Sequence, residues 1–450
     1  MPLTDPMPVL TGAELTARLA DLTGNGVRVL VGSVVDMAGV ARAKTVPLRR
    51  AAAFHVAGMG ASPSWNVFCA DGAIAFTDRL GVVGDLRLRA DLTAARVVGG
   101  GYAWAPAEFF GQDGEPYAPC ARGQLRRVQA AVEAAGLSAT VGHELEFVLT
   151  GPDGARLPER HWQPYGLGAV MERGGFAADL TEALEEAGLP VEQLHAEYGT
   201  GQFEVSLAPA EPLASADGVV LGRLVICRVA REHGLLASFS PLPFAGGAGN
   251  GAHLHLSLEQ DGVPLLSGGS GPHGLTPQGA SAIAGIVRGL PGTLGVFAGS
   301  ALSPLRLRPG RWSGVFACWG LENREAAVRL VAATRGTPHG ANVELKCVDP
   351  SANVYLATAA LLGLALDGIA RGAELPPEVR VNPVQDPSAE LLPRDQPAVL
   401  DALAASGTAR RILGDEVMAA LLAVRRHEAA AYADTGVGDL ADRFRFAWSV

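Results

Sequence analysis

Clustered positive charge is what this chain most lacks. Lys and Arg number 36 against 46 Asp and Glu, a formal net charge of −10 at pH 7. Surfaces that bind nucleic acid or anionic membranes concentrate Lys and Arg, so neither partner is expected. Charge of either sign is sparse, at 18% of residues, while hydrophobic residues reach 48%. With 57 Gly and 30 Pro, the composition is that of a loop-rich globular chain without disorder. Cysteine is scarce too. Cys69, Cys120, Cys227, Cys318 and Cys347 are scattered and form no CxxC pair, so a reduced, cytoplasmic protein is expected. The first residues show no basic-then-apolar pattern, which leads to the expectation of no signal peptide. The longest apolar run, residues 354–366, is too short to span a bilayer and reads as a buried helix. The Gly-rich stretch 265–274 has no basic residue at P-loop spacing and reads as a surface loop.

A chain of 450 residues exceeds one ordinary core. Two domains are expected, 1–118 and 119–450. In the first, β-like runs at 27–35 and 40–46 flank the turn Met37-Ala38-Gly39 and predict a hairpin. In the second, helices are expected at 122–135, 179–187, 217–233, 276–290, 352–371 and 408–433.

The strands between those helices carry the chemistry. In Val141-Gly142-His143-Glu144-Leu145-Glu146-Phe147-Val148-Leu149, period two puts Leu145, Phe147 and Leu149 on one side and Glu144 and Glu146 on the other. Residues 202–207 repeat the pattern with Glu204, 253–258 with His253, His255 and Ser257, and 342–347 with Glu344. Any one such strand is accounted for by an antiparallel sheet with a solvated face. Four together make a row of like charges that repel unless cations lie between them. Glu144, Glu146, Glu197, Glu204 and Glu344 with His253 form an oxygen-rich set that favours Mg²⁺ or Mn²⁺ over zinc. Arg306, Arg308, Arg311, Arg324 and Arg329 offer either bidentate grips for phosphate and carboxylate or plain surface charge.

At these residues the chain resembles the glutamine synthetase family of the type I lineage, nearly end to end. The motifs are Asp36-Met37-Ala38-Gly39, Gly142-His143-Glu144-Leu145-Glu146, His195-x-Glu197 with Gly201-Gln202-Phe203-Glu204, and Gly249-Asn250-Gly251-Ala252-His253-Leu254-His255. Arg306 ahead of Pro309-Gly310, Asn323-Arg324, Glu344-Leu345-Lys346 leading into Asp349-Pro350-Ser351-Ala352-Asn353, and Phe444-Arg445-Phe446-Ala447-Trp448 complete the set. The resemblance implies an α+β fold: a small N-terminal β-grasp domain and a large catalytic domain whose antiparallel sheet, a tapered barrel, is surrounded by helices. It implies ATP and two or more divalent metals per active site. One metal would fall to Glu146, Glu197 and Glu204, the other to Glu144, His253 and Glu344. His255, Ser257, Arg324 and Arg329 match positions near the nucleotide and its phosphates. Gly249 and Arg306 match the grip on the amino-acid substrate, where Glu146 and Lys346 also lie. Asp71 and Asp85 match aspartates that complete a neighbouring subunit's site, so a ring-forming homo-oligomer of two stacked hexamers is implied.

Three positions depart from the family pattern. Glutamine-forming members carry a glutamate two residues after Pro-Gly, on a flap that helps deprotonate ammonium; here it is Trp312. An indole accepts no proton, yet it provides an apolar wall and a cation–π face. Ala248 replaces an asparagine, and Lys346 replaces an arginine, losing the bidentate fork. The expectation is therefore a ligase that makes γ-glutamyl amides from glutamate and an organic amine. Glutamine synthetase itself and a catalytically silent regulatory paralogue are the alternatives.

Overall fold

A computed structural model describes residues 7–158, 161–336 and 340–450. Strands β1 (Val29–Val35) and β2 (Ala41–Pro47) form the expected hairpin. Its turn needs glycine at position 39, where φ is +82° and a Cβ would lie 2.3 Å from the Ser351 carbonyl oxygen. Strands β3 (Met59–Ala61), β4 (Leu86–Ala90), β5 (Arg96–Gly99) and β6 (Tyr102–Phe110) complete a sheet ordered β2-β1-β6-β4-β3, with β5 on β6. β1 and β6 run parallel at its centre. One face packs Leu30, Val34, Phe54 and Leu88 into a core of its own, whereas Val35, Val98 and Trp104 join the main core.

The second sheet holds β7 (Leu137–Thr150), β8 (Val191–Ala196), β9 (Gln202–Leu207), β10 (Leu236–Ser238), β11 (Leu254–Gln260) and β12 (Val263–Pro264). It continues with β13 (Phe316–Leu321), β14 (Ala326–Val331) and β15 (Asn342–Leu345). The row runs β13-β14-β15-β11-β7-β9-β8, and β13 is parallel to β14. Among the described residues its end strands do not pair, so the expected barrel is an open half-barrel. The apolar face of β7 anchors it: Phe147 packs on Phe176, Phe203 and Phe239 with ring centroids 5.6–6.3 Å apart.

Helices Ala121–Ala134 and Pro212–Glu232 pack on β7, Pro277–Gly289 packs on β13 and β14, and Val354–Arg371 packs on all three helices. The last begins where Asn353 accepts from the Tyr355 and Leu356 amides and ends at left-handed Gly372. Its 18 residues, mean hydropathy 1.4, are long enough to cross a bilayer, yet 72% are buried inside the protein, which marks a core helix. The single helix expected at 408–433 is two, Gly407–Leu413 and Asp415–Ala431. They part at Gly414, whose φ of +80° only glycine adopts readily.

Buried charge ties the two sheets together. Arg122 bonds Asp217 (2.8 and 2.9 Å), Glu108 (2.6 Å) and Asp91 (3.1 Å), and Tyr355 donates to Asp217 at 2.8 Å. Burial opposes the Arg122 charge, but these carboxylates hold its pKa well above the ordinary value.

Candidate active site

Strand register assembles the polar residues. Glu146 lies opposite Glu204 across β7 and β9, and His195 opposite Glu204 across β8 and β9. His255 and Arg329 each lie opposite Glu344, on β11 and β14. Period-two alternation then turns all of them to one side. That side is not solvated: Glu146, Glu204, His253 and Glu344 are buried, Glu344 to 2% exposure.

His253 Nδ1 sits 2.6 Å from Glu144 Oε2 and 3.6 Å from Glu344 Oε1, and its Nε2 is 3.9 Å from Glu146 Oε1. His255 Nε2 lies 3.2 Å from Glu144 Oε1, and its Nδ1 meets Asn342 Oδ1 at 2.9 Å. On the other flank, His195 Nε2 is 3.0 Å from Glu197 Oε1 and 3.8 Å from Glu204 Oε1. Among the described residues, three sets of ligand atoms fall within 4.8 Å of one another: Glu144–His253–Glu344, Glu146–Glu204–His253 and His195–Glu197–Glu204. The first is one of the two expected trios. The other, Glu146, Glu197 and Glu204, is divided between two sets that share Glu204.

The electrostatics are those of crowded carboxylates. Burial, then the charges of Glu144, Glu146, Glu197 and Glu344, push the Glu204 carboxyl up to about 10. Burial acts the same way on Glu144, but hydrogen bonds to His253 and His255 outweigh it and hold Glu144 well below the carboxylate range. Burial raises Glu344, but Lys346, whose Nζ is 2.9 Å away, and then His253 outweigh it, and its carboxyl falls to about 2; Arg329 also bonds it at 3.0 Å. A carboxylate as disfavoured as Glu204 suits a site that a divalent cation completes, and oxygen donors with one imidazole suit Mg²⁺ or Mn²⁺. The backbone leaves that space free. A Cβ on Gly251 would come within 2.6 Å of Glu146 Oε1 and His253 Nε2, and 2.7 Å of an Arg306 nitrogen.

Arg306 is buried beside Gly249 and Gly251; one of its terminal nitrogens lies 3.4 Å from His253 Nε2, and the other has no hydrogen-bond partner among the described residues. Such a donor is placed to receive an anionic oxygen. Ser257 donates to the Ala341 carbonyl at 3.1 Å, and Arg324 stands exposed between β13 and β14. Asp71 and Asp85 are not brought to the cluster. Asp71 bonds the Tyr432 hydroxyl and the Ala73 amide, and Asp85 meets Gln112.

Trp312 reaches the rim of the site. Glu325, 5% exposed, accepts from the Gly310 amide through Oε1 (2.7 Å) and from the Trp312 amide through Oε2 (3.0 Å). Trp312 has φ +51° and leaves 53% of its surface exposed, edge-on to Tyr198 at 6.2 Å.

Sequence reasoning passed over five residues here. His195 shares a face with Glu197 by period two and was legible. Gln202, whose Nε2 sits 2.9–3.0 Å from Glu146, Gly249 and Asn250, lies in a quoted motif. Asn342 shares a face with Glu344 by period two as well, whereas Glu325 and Tyr198 carry no local signal.

Residues 118–438 match the family described as "Glutamine synthetase, catalytic domain". The chain belongs to the glutamine synthetase family. Over 444 residues it is 41% identical to a γ-glutamylpolyamine synthetase, GlnA3, of Streptomyces coelicolor, covering 95% of each protein. It superposes on a crystal structure of a novel glutamine synthase homolog with a TM-score of 0.85 at 32% identity, covering 94% of this chain and 99% of that one. With the ADP complex of GmaS the TM-score is 0.83 at 28% identity, covering 93% and 97%. Members of the glutamine synthetase family use ATP and divalent metals, and this chain is accordingly a ligase that forms carbon–nitrogen bonds.

Proposed function

We propose that this protein joins the γ-carboxylate of glutamate to an organic amine, with ATP converting the carboxylate to γ-glutamyl phosphate and the amine then displacing phosphate. The observation that carries the choice of amine is Trp312. A flap residue able to take a proton from ammonium is replaced by an exposed indole, while the carboxylate cluster is otherwise complete. The 41% identical relative is named for polyamine substrates, and it supports the same class here.

In this reading, divalent cations held by Glu144, His253 and Glu344, and by Glu146, Glu204 and Glu197, neutralise charge on the transferring phosphoryl group. Arg306, with Gly249, grips the α-carboxylate of glutamate, and its nitrogen without a hydrogen-bond partner among the described residues supports that role. Arg324, Arg329, His255 and Ser257 face the nucleotide and its phosphates. Lys346 lies next to the glutamate site and holds Glu344 ionised. Asp71 and Asp85 serve a neighbouring subunit in a homo-oligomer; within their own chain they bond Tyr432 and Gln112, not the cluster, which supports that reading.

The test is phosphate release from ATP and glutamate with a panel of amines that includes ammonium, alkylamines and diamines. An organic amine should give the highest kcat/KM. Glutamine as the best product would overturn the reading, as would no turnover with any amine.

A further inference from the structure

Tyr198 and Trp312 each leave 53% of their surface exposed. Their rings come from different segments, the end of β8 and the flap, and meet edge-on with centroids 6.2 Å apart. Among the described residues, no other ring meets Trp312. Tyr198 also follows Glu197 directly, and its amide donates to Glu197 Oε2 at 2.7 Å. The aromatic pair therefore begins one residue from the carboxylate cluster and extends outward from it.

Two exposed rings in contact at the mouth of a polar site mark a binding surface more than a packing accident. Ammonium has nothing to place against them. An alkylamine does: with its nitrogen at the carboxylates, its methylene groups run outward along the rings. A second ammonium group further along would meet their π faces.

We infer that Tyr198, paired with Trp312, forms the wall that receives the aliphatic body of the amine, and that the preferred substrates are diamines or longer alkylamines. This rests on the proposed use of organic amines and assigns the selecting surface to Tyr198. The left-handed backbone of Trp312 favours it: Glu325 holds a costly conformation, and in that conformation the indole meets Tyr198.

The test measures kcat/KM for ammonium, ethylamine, butylamine and 1,4-diaminobutane with wild type, Tyr198→Ala and Tyr198→Phe, in the full assembly. Tyr198→Ala should lower the ratio of diaminobutane to ammonium by roughly tenfold, the scale of one ring's apolar and cation–π contact. The loss should grow from ethylamine to butylamine, and Tyr198→Phe should keep most of the preference. A double-mutant cycle with Trp312→Ala should show non-additive effects on the same ratio. If Tyr198→Ala lowers every amine equally, or leaves the ratio unmoved while wild type still prefers organic amines, the inference fails and the proposed function stands. If wild type prefers ammonium, the proposed function itself fails.

Discussion

The buried carboxylate of Glu325 holds the backbone of Trp312, accepting its amide hydrogen at 3.0 Å while the other oxygen takes that of Gly310. Bonds to an ionised acceptor contribute about 1.5–3 kcal/mol each, enough to keep a bulky residue at positive φ. Glu325→Ala should release the flap and lower kcat/KM for the best amine by about tenfold or more. Glu325→Gln, which keeps one acceptor oxygen, should lose less. Steady-state kinetics on both variants check this, and wild-type values for Glu325→Ala would refute it.

Trp312→Glu restores a proton acceptor to the flap. The ratio of kcat/KM for ammonium over an organic amine should rise by about 10- to 100-fold, through gained proton transfer and lost apolar contact. An unmoved ratio would remove Trp312 from the selection of substrate.

The cation requirement is testable without turnover. Mg²⁺ or Mn²⁺ should raise the melting temperature above its value in EDTA, by an increment that grows with metal concentration. Glu204→Ala should abolish most of that increment, along with ATP turnover. A full metal-dependent shift in the variant would show that Glu204 holds no ion.

Arg122 is enclosed by three acidic partners at 3% exposure. Arg122→Ala strands those charges and should cost about 3–5 kcal/mol in urea unfolding. A cost below about 1 kcal/mol would mean the two sheets do not depend on this network.

Asp36 gives a pH signature. Burial outweighs its bonds to Arg42, Val40 and Ala38 and raises its carboxyl from 3.8 to about 6. The native state therefore binds the proton more tightly than the unfolded chain does. Its contribution to stability is complete below pH 3.8 and is lost as pH rises through 6. The stability of wild type relative to Asp36→Asn should fall by about 3 kcal/mol across that window. A difference that stays flat would mean Asp36 is ionised throughout.

Most of the cluster was legible because strand direction is a local property. Period two alone puts Glu144 with Glu146 and His253 with His255, before any partner strand is known. That these faces are enclosed was not legible, since burial comes from the strands that flank them and from what packs around them in three dimensions. The clamp on Trp312 spans 13 residues, and the bond between Asp71 and Tyr432 spans 361; no window of sequence contains either pair. Gly414 shows the opposite failure: the helical pattern continues through it, and only its backbone angles reveal the break.

The blocked Cβ direction of Gly39 faces Ser351, Trp448 donates to the Ala38 carbonyl at 2.9 Å, and Asn353 bonds the Val35 and Asp36 carbonyls at 3.0 Å. The first hairpin is thus keyed by its backbone carbonyls to Asn353 and Trp448, so a side chain added at position 39 would push the β1–β2 turn off the start of the helix Val354–Arg371 as well as off its own fold.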